Sequence, residues 1–137
     1  MSAIITCTTK LKNKNDLVEA LKLMGVPKEH MQVAGYGETV KHNGYGNQKR
    51  QVEVNISKKW HSGYGDIGFE KTEDGTYQLH QDDLDARKLE GKSGGEFMVR
   101  VQQFYTASVS ARTLKENGFV PEIKTEEDRV LVRAVAY

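Results

Sequence analysis

A strict alternation of polar and apolar residues marks the middle of the chain, in the segment Gln51-Val-Glu-Val-Asn-Ile-Ser57. Successive side chains of a β-strand point to opposite faces, so this period of two predicts a half-buried strand over 51–57. Its core face would be formed by Val52, Val54 and Ile56, and its polar face by Gln51, Glu53, Asn55 and Ser57.

Turn signals and β-branched runs predict further strands on both sides of this segment. Asp74-Gly75, set between two alternating stretches, is a strong hairpin signal. A shorter hairpin is predicted around 37–46, anchored by Val33 and Val40. The other predicted strands cover residues 3–9, 66–71, 76–80, 120–124 and 129–136.

Two helices are predicted because apolar residues recur there every three or four positions. The first follows the opening strand, has a cap at Asn13 or Asn15 and ends at Gly25. Its apolar stripe is Leu17, Ala20, Leu21 and Met24. The second spans 96–117, with an inward stripe of Phe97, Val101, Phe104 or Tyr105, Ser108, Ala111 and Leu114. This order predicts one α+β domain over 1–137: a ferredoxin-like antiparallel sheet with two helices on one face and extra β-hairpins.

Charge and cysteine content exclude several classes of protein. Twenty Lys and Arg balance nineteen Asp and Glu, and a net charge of +1 gives no bulk attraction to nucleic acid or to an anionic membrane. No apolar run approaches the roughly 18 residues that cross a membrane, and no signal peptide is evident, so we expect no membrane partner. The single cysteine, Cys7, cannot form an internal disulfide, which favours a reducing compartment, the cytoplasm.

The segment Ser62-Gly-Tyr-Gly-Asp-Ile-Gly-Phe69 resembles two recognition motifs. Its glycines fit G-x-G-x-x-G, but a dinucleotide site needs a helix directly after them, and a hairpin is predicted here. It also approaches the octamer that stacks RNA bases on a ferredoxin-like sheet. That octamer begins with a basic residue and has an aromatic ring where this chain has Asp66. Alternation places Tyr64 and Asp66 outward, with Ile67 and Phe69 toward the core.

The residues leave three functions open. The first is a non-enzymatic binding or accessory protein with an unknown protein partner or a second copy of itself, because tyrosines between glycines provide rigid contact area at turns. Its candidate binding surface is Tyr36, Tyr45, Lys58, Lys59, Trp60, His61, Tyr64 and Asp66. The second, less favoured, is single-stranded nucleic-acid binding on the sheet face by Tyr45, Tyr64, Trp60, Lys49, Arg50, Lys58 and Lys59.

The third function is an enzyme that acts on a small ligand. Its acid and base groups would be His61, Asp66, His80 and Asp82 or Asp83, and they would have to converge in one pocket. A divalent ion could use the imidazole and carboxylates of His80, Asp82, Asp83 and Asp85. That stretch lacks the loop glycine and the final bidentate glutamate of an EF-hand, and the four histidines are dispersed. We therefore expect no catalytic residue, no metal and no cofactor.

Several of these segments together resemble a known family. Gly63-Tyr-Gly-Asp-Ile-Gly-Phe69, with residues 74–79 and 83–84, is similar to the signature region of a plastid and cyanobacterial family catalogued as hypothetical chloroplast reading frame thirty-five. Residues 97–105 are similar to a helix of that family, and residues 130–135 to its closing strand. That family is a domain of unknown function, so the resemblance implies a fold-sized module with an accessory role. Departures within the signature imply a divergent member, encoded by a bacterium or a phage.

Overall fold

The computed structural model describes residues 4–8, for which it gives the backbone, and residues 10–46, 48–82, 85, 97–126 and 129–135. Strands and helices alternate irregularly along these ranges. In chain order they are β1 (Ile4–Thr8), α1 (Lys14–Leu23), β2 (Met31–Val33), β3 (Val40–Asn43), β4 (Lys49–Val52), β5 (Val54–Ile56), α2 (Lys58–His61), β6 (Ile67–Lys71), β7 (Tyr77–Asp82), α3 (Phe97–Glu116), β8 (Val120–Thr125) and β9 (Val130–Val135).

Five strands form a central antiparallel sheet in the order β1-β7-β6-β5-β2. The predicted hairpin at Asp74-Gly75 is confirmed as β6 and β7, and Gly75 adopts the positive φ of +85° that such a turn requires. Hydrogen bonds from Thr72 and Thr76 lower the pKa of the Asp74 carboxyl to about 2, so this turn residue is ionised and acts as an acceptor. The first strand, β1, is an edge strand of this sheet, a detail of strand order that the ferredoxin-like prediction did not specify.

Two helices cover one face of this sheet, and the predicted α+β class is confirmed. The side chain of Asn13 accepts the N–H of Asp16 at 3.0 Å and so caps α1, as predicted. The core between α1, α3 and the sheet contains Leu17, Leu21, Val54, Ile56, Ile67, Phe69, Tyr77, Leu79, Phe97 and Val101. Each of the large side chains buried there contributes about 1.5–3 kcal/mol.

The alternating segment 51–57 is divided between two sheets, so its prediction as one strand is wrong. The chain bends at Glu53, β4 pairs with β3 in a separate hairpin, and β5 joins the central sheet. Val52 therefore does not share the face of Val54. Asn55, predicted on the polar outer face, is buried, because the β3–β4 hairpin lies over the second face of the sheet.

Two hairpins complete the described fold. The one predicted around 37–46 lies further along the chain, as β3 and β4 joined by residues 44–48. The predicted C-terminal pair is confirmed as β8 and β9, which pack against α3. None of the helices in the described ranges has the length and apolarity needed to span a bilayer.

Candidate binding site beside the β3–β4 hairpin

A row of polar side chains crosses the second face of the sheet, which is the face opposite α1 and α3. The β3–β4 hairpin covers this row. The strand register places Gln32, Asn55, Gly68 and His80 side by side on four neighbouring strands. The side-chain amide of Asn55 donates to Gln32 Oε1 at 2.9 Å, and Asn55 Oδ1 lies 3.0 Å from Nδ1 of His42 on the hairpin. A methyl group at residue 68 would lie 2.7 Å from His42 Nδ1. Glycine in the middle of β6 therefore makes the room that the His42 ring occupies.

His42 and His80 form a buried pair of imidazoles within this row. Both are 1 % exposed, and their ring centroids are 6.5 Å apart. Burial lowers the pKa of both rings below the ordinary value of 6.5, although hydrogen bonds to Asn55 and Glu70 oppose that shift. Glu70 Oε1 is 2.8 Å from His80 Nε2 and 3.7 Å from Nη1 of Arg50. The His42 ring of the hairpin therefore packs beside the His80 ring of the sheet, and burial favours the neutral form of both.

Asp66 is buried at the end of the polar row, and its predicted outward orientation is wrong. Its Oδ2 accepts the backbone N–H of Asn43 at 3.0 Å and the side-chain amide of Asn55 at 3.2 Å. Its Oδ1 accepts the backbone N–H of Lys58 at 2.9 Å. Three donors compensate for the loss of water around this carboxylate, which is why it is stable inside. Asp66 thus ties β3, β5 and the start of α2 together.

A second buried carboxylate fixes the glycine turn at 63–65. Both oxygens of Asp85, which is 1 % exposed, accept the N–H of Tyr64 at 3.0 Å, and Oδ2 also accepts the N–H of Gly65 at 3.1 Å. A methyl group at residue 63 would overlap the ring of His61 and approach Asp85 Oδ1 to 2.6 Å. Gly63 is therefore required where the turn passes over His61. The sequence offered Asp85 only as a candidate metal ligand, whereas the structure gives it a supporting role.

This turn packs against the glycine turn at 44–46. A methyl group at residue 65 would lie 3.1 Å from the Cα of Gly44, so the two backbones are in close contact. Tyr45 and Tyr64 meet edge to face above that contact, with ring centroids 5.6 Å apart. They are 45 % and 51 % exposed, respectively. We call Tyr45 and Tyr64 the tyrosine pair: two aromatic rings presented to solvent from a fixed base.

A cleft of about 410 Å³ lies near the tyrosine pair. Two of its lining residues show this in the sequence: Asn43 is two positions from Tyr45, and Asp66 is two positions from Tyr64. Its charged rim consists of Lys41, Lys58 and Lys59, and we call it the lysine cleft. The complete lining is Gln32, Val40, Lys41, Asn43, Asn55, Ser57, Lys58, Lys59 and Asp66. The structure thus brings together three of the predicted residues, with Asp66 as a structural acceptor and the two lysines at the rim.

The other predicted surface residues lie elsewhere. His61 is buried, and Trp60 packs partly buried against the hydrophobic core, so neither forms an open stacking platform. Tyr36 is fully exposed, but it lines a different cleft beside the start of α1. Arg50, proposed for nucleic-acid binding, is directed at Glu70. The single surface predicted from sequence is therefore divided among three places, and the tyrosine pair and the lysine cleft are the parts that remain adjacent.

Most of the residues proposed for acid–base chemistry lie outside the two described clefts. His61 packs behind Gly63, and His80 is hydrogen-bonded to Glu70. These two histidines and Asp82 are buried, and they line neither the lysine cleft nor the cleft beside α1. Asp83 lies outside the described residues. Over the ranges that the structure describes, no group of three His, Cys, Asp or Glu side chains is arranged to hold a metal ion.

Comparison with known proteins identifies a family but no characterised relative. The family model described as "Protein of unknown function (DUF1257)" matches residues 20–135. The match includes both glycine turns, the tyrosine pair and the lysine cleft. No curated protein and no solved structure matches the chain. The chain belongs to DUF1257, a family of proteins of unknown function.

Proposed function

We propose that this chain is a non-enzymatic binding protein that recognises its partner with the tyrosine pair and the adjoining lysine cleft. The observation that carries the proposal is the support beneath Tyr45 and Tyr64. Two half-exposed rings stand on turns whose backbones are fixed by Asp85 and by the contact between Gly44 and Gly65. Contact residues that are ordered before binding lose less entropy when the complex forms.

The chemistry of this surface suits a protein partner with acidic groups around an apolar or aromatic side chain. Tyrosines are enriched among the residues that dominate binding energy, because they offer a large apolar ring and a polar hydroxyl. The rim lysines, Lys41, Lys58 and Lys59, supply positive charge beside those rings. Such charge favours an acidic partner and speeds its association. A second copy of the chain is the other protein partner that this proposal includes.

Single-stranded nucleic acid is the second candidate, and the nearness of exposed rings to lysines favours it. Proteins that bind single strands combine aromatic rings that stack bases with cations that contact phosphates. The β3–β4 hairpin covers the central part of the second sheet face, around Gly68. A strand would therefore lie across the tyrosine pair and the lysine rim instead of along the sheet.

Affinity capture with crosslinking and mass spectrometry tests the first candidate. The wild-type chain is compared with the double variant Tyr45→Ala/Tyr64→Ala and with the control Tyr36→Ala, which removes a fully exposed tyrosine outside the tyrosine pair. We expect the double variant to lose the captured protein and the control to retain it. A wild-type chain that captures nothing and sediments as a monomer would contradict the proposal, as would equal capture by both variants.

Fluorescence anisotropy with a labelled oligothymidylate separates the second candidate from the first. Nucleic-acid binding should weaken steeply as salt rises, and Lys58→Gln/Lys59→Gln should reduce the slope of that dependence. Contacts to phosphate are least screened at low ionic strength, about 20 mM salt. Absence of binding under that condition rules this candidate out.

We also propose a finer placement within the family. The resemblance of residues 63–69 to the plastid and cyanobacterial signature supports a divergent member of that branch, encoded by a bacterium or a phage. The lone Cys7 supports a reducing cytoplasm as its place of action.

A further inference from the structure

A second cleft lies where α1 begins, and it shares no lining residue with the lysine cleft. Its volume is about 510 Å³, within the range of about 300–1,000 Å³ that is typical of small-molecule sites. It is lined by Lys12, Asn13, Lys14, Asn15, Tyr36, Gly37, Glu53, Lys71 and Tyr77. We call it the basic cleft, because three of its lining side chains are lysines and one is a carboxylate.

The charges in the basic cleft do not balance. Glu53 Oε1 is 3.5 Å from Nζ of Lys14, which also donates to the carbonyl oxygen of Ala34 at 2.8 Å. Lys14 and Glu53 therefore neutralise each other. Within the described part of the chain, Lys12 and Lys71 form no ion pair. The cleft thus carries an excess of positive charge, although the ionised Asp74 carboxylate, whose pKa Lys12 helps to lower, offsets part of the Lys12 charge. That excess suits an anionic group such as the phosphate of a monoester.

The two tyrosines of the basic cleft differ in what they can offer. Tyr77 is buried, and its hydroxyl donates to Glu53 at 3.4 Å. Burial and the neighbouring Glu53 charge raise the pKa of Tyr77, so it remains a neutral part of the floor. Tyr36 is fully exposed and precedes Gly37, which has a φ of +73°. Its ring is available for stacking on a planar group beside the lysines.

We propose that the basic cleft binds a small phosphorylated ligand with a planar ring, of the class of nucleoside monophosphates. Lys12 and Lys71 contact its phosphate, and the ring stacks against Tyr36. Lys14 and Glu53 are held by each other and shape the floor. This site is independent of the binding surface proposed above, since no residue is common to both.

Isothermal titration of the full chain at low ionic strength tests this proposal, with AMP, adenosine and inorganic phosphate as probes. We expect AMP to bind at least tenfold more tightly than either adenosine or inorganic phosphate, because each of those retains one half of the recognition. The variant Lys12→Gln/Lys71→Gln should weaken AMP binding at least tenfold. Tyr36→Leu should lower the affinity for AMP toward that for inorganic phosphate. All three positions are at the surface of the cleft, and thermal unfolding verifies that each variant is folded.

Two matched controls make the outcome specific. Lys58→Gln/Lys59→Gln removes two lysines from the other cleft and should leave AMP binding unchanged, as should Tyr45→Ala/Tyr64→Ala. The proposal is overturned if AMP does not bind at millimolar concentration, if inorganic phosphate binds as tightly as AMP, or if the control lysines matter as much as Lys12 and Lys71. Because partner capture and AMP titration use different residues, failure of one proposal is distinguishable from failure of the other.

Discussion

The two faces of the central sheet are built from the same strands but by different physical means. On the face covered by α1 and α3, Phe69 and its neighbours are apolar and fully buried. On the face covered by the β3–β4 hairpin, the register places Asn55, Gly68 and His80 side by side, and His42 descends between them. Burial of apolar area stabilises the first face, and this stabilisation does not depend on the direction of any single contact. The polar face depends on directional hydrogen bonds, such as those of Asn55 and Asp66, because losing an acceptor there leaves a buried donor unpaired.

That difference explains why the candidate site lies on the polar side. The directional hydrogen bonds that Asp66 accepts from β3, β5 and α2 allow one placement of the hairpin, whereas apolar packing tolerates small shifts. The hairpin carries Lys41 to the lysine cleft and leads directly into Tyr45. The polar layer therefore fixes the position of the residues that we propose to contact a partner.

The largest expected effect lies on the apolar face, at Phe69→Ala. Removing this fully buried ring should lower the free energy of unfolding by about 3–5 kcal/mol, through lost burial and the cavity left behind. Urea denaturation monitored by circular dichroism measures the change. Val99→Ala is the control, since Val99 is exposed on α3 and its truncation should cost less than about 0.5 kcal/mol. A cost below about 1 kcal/mol for Phe69→Ala would contradict the placement of this ring at the centre of the core.

The second expected effect is on the polar face, at Asp66→Ala. The substitution leaves the N–H groups of Asn43 and Lys58 and the amide of Asn55 without their acceptor, and we expect a loss of about 2–3 kcal/mol. Asp66→Asn is the matched control, because it keeps the volume and one acceptor oxygen and should cost less. Urea denaturation gives both values. If alanine and asparagine were equally mild, the carboxylate would not be what joins these elements.

The features that sequence reasoning predicted correctly depend on neighbouring residues alone. Asp74-Gly75 fixed the β6–β7 hairpin, and the three-to-four spacing of apolar residues located α1 and α3. The polar layer depends instead on contacts between distant segments: Asp85 is 20 residues from Gly65, and Asn55 is 13 residues from His42. No local pattern encodes such pairs.

The division of the segment 51–57 between two sheets likewise depends on contacts that no local pattern encodes. Alternation correctly marks Val52 and Val54 as buried, but it cannot say that they belong to two different sheets. It also assigns Asn55 to solvent, since a single strand carries no record of what covers its other face. The tyrosine pair was predicted as exposed residues, yet its geometry depends on the contact between two glycine turns about twenty residues apart.

The third prediction tests the fit between sheet and hairpin, at Gly68→Ala. The added methyl group would approach His42 Nδ1 to 2.7 Å and Cγ1 of Val52 to 3.0 Å, so we expect a loss of about 1–3 kcal/mol. Hydrogen exchange should show the loss first in the β3–β4 hairpin, while α3 remains protected.

Two further variants test whether the loss in Gly68→Ala comes from the contact with His42. Gly35→Ala is the control, because its methyl group meets only the flexible end of the Glu38 side chain and should be nearly neutral. Adding His42→Ala to Gly68→Ala should recover part of the lost stability, since the ring that clashes is then absent. Independent, additive effects of the two substitutions would show that the ring and the glycine are not coupled.

The smallest expected effect is a dependence of stability on pH that arises from His42 and His80. Their pKa values in the folded chain lie below the unfolded value of about 6.5, chiefly because burial disfavours the charged ring. Their contribution to stability is therefore complete above pH 6.5 and is lost as the pH falls below it toward the folded pKa values. The charges that face these rings are Asp66 and Glu70, which favour protonation, and Arg50, which opposes it.

We expect urea denaturation at pH 7.5 and 5.5 to show a smaller pH-dependent loss of stability in His42→Gln than in wild type. His30→Gln, which alters a partly exposed histidine outside the polar layer, should retain the wild-type loss. An unchanged loss in His42→Gln would mean that protonation of His42 does not weaken the packing of the hairpin on the sheet. The contrast between the two faces of the sheet would then be weaker than these contacts indicate.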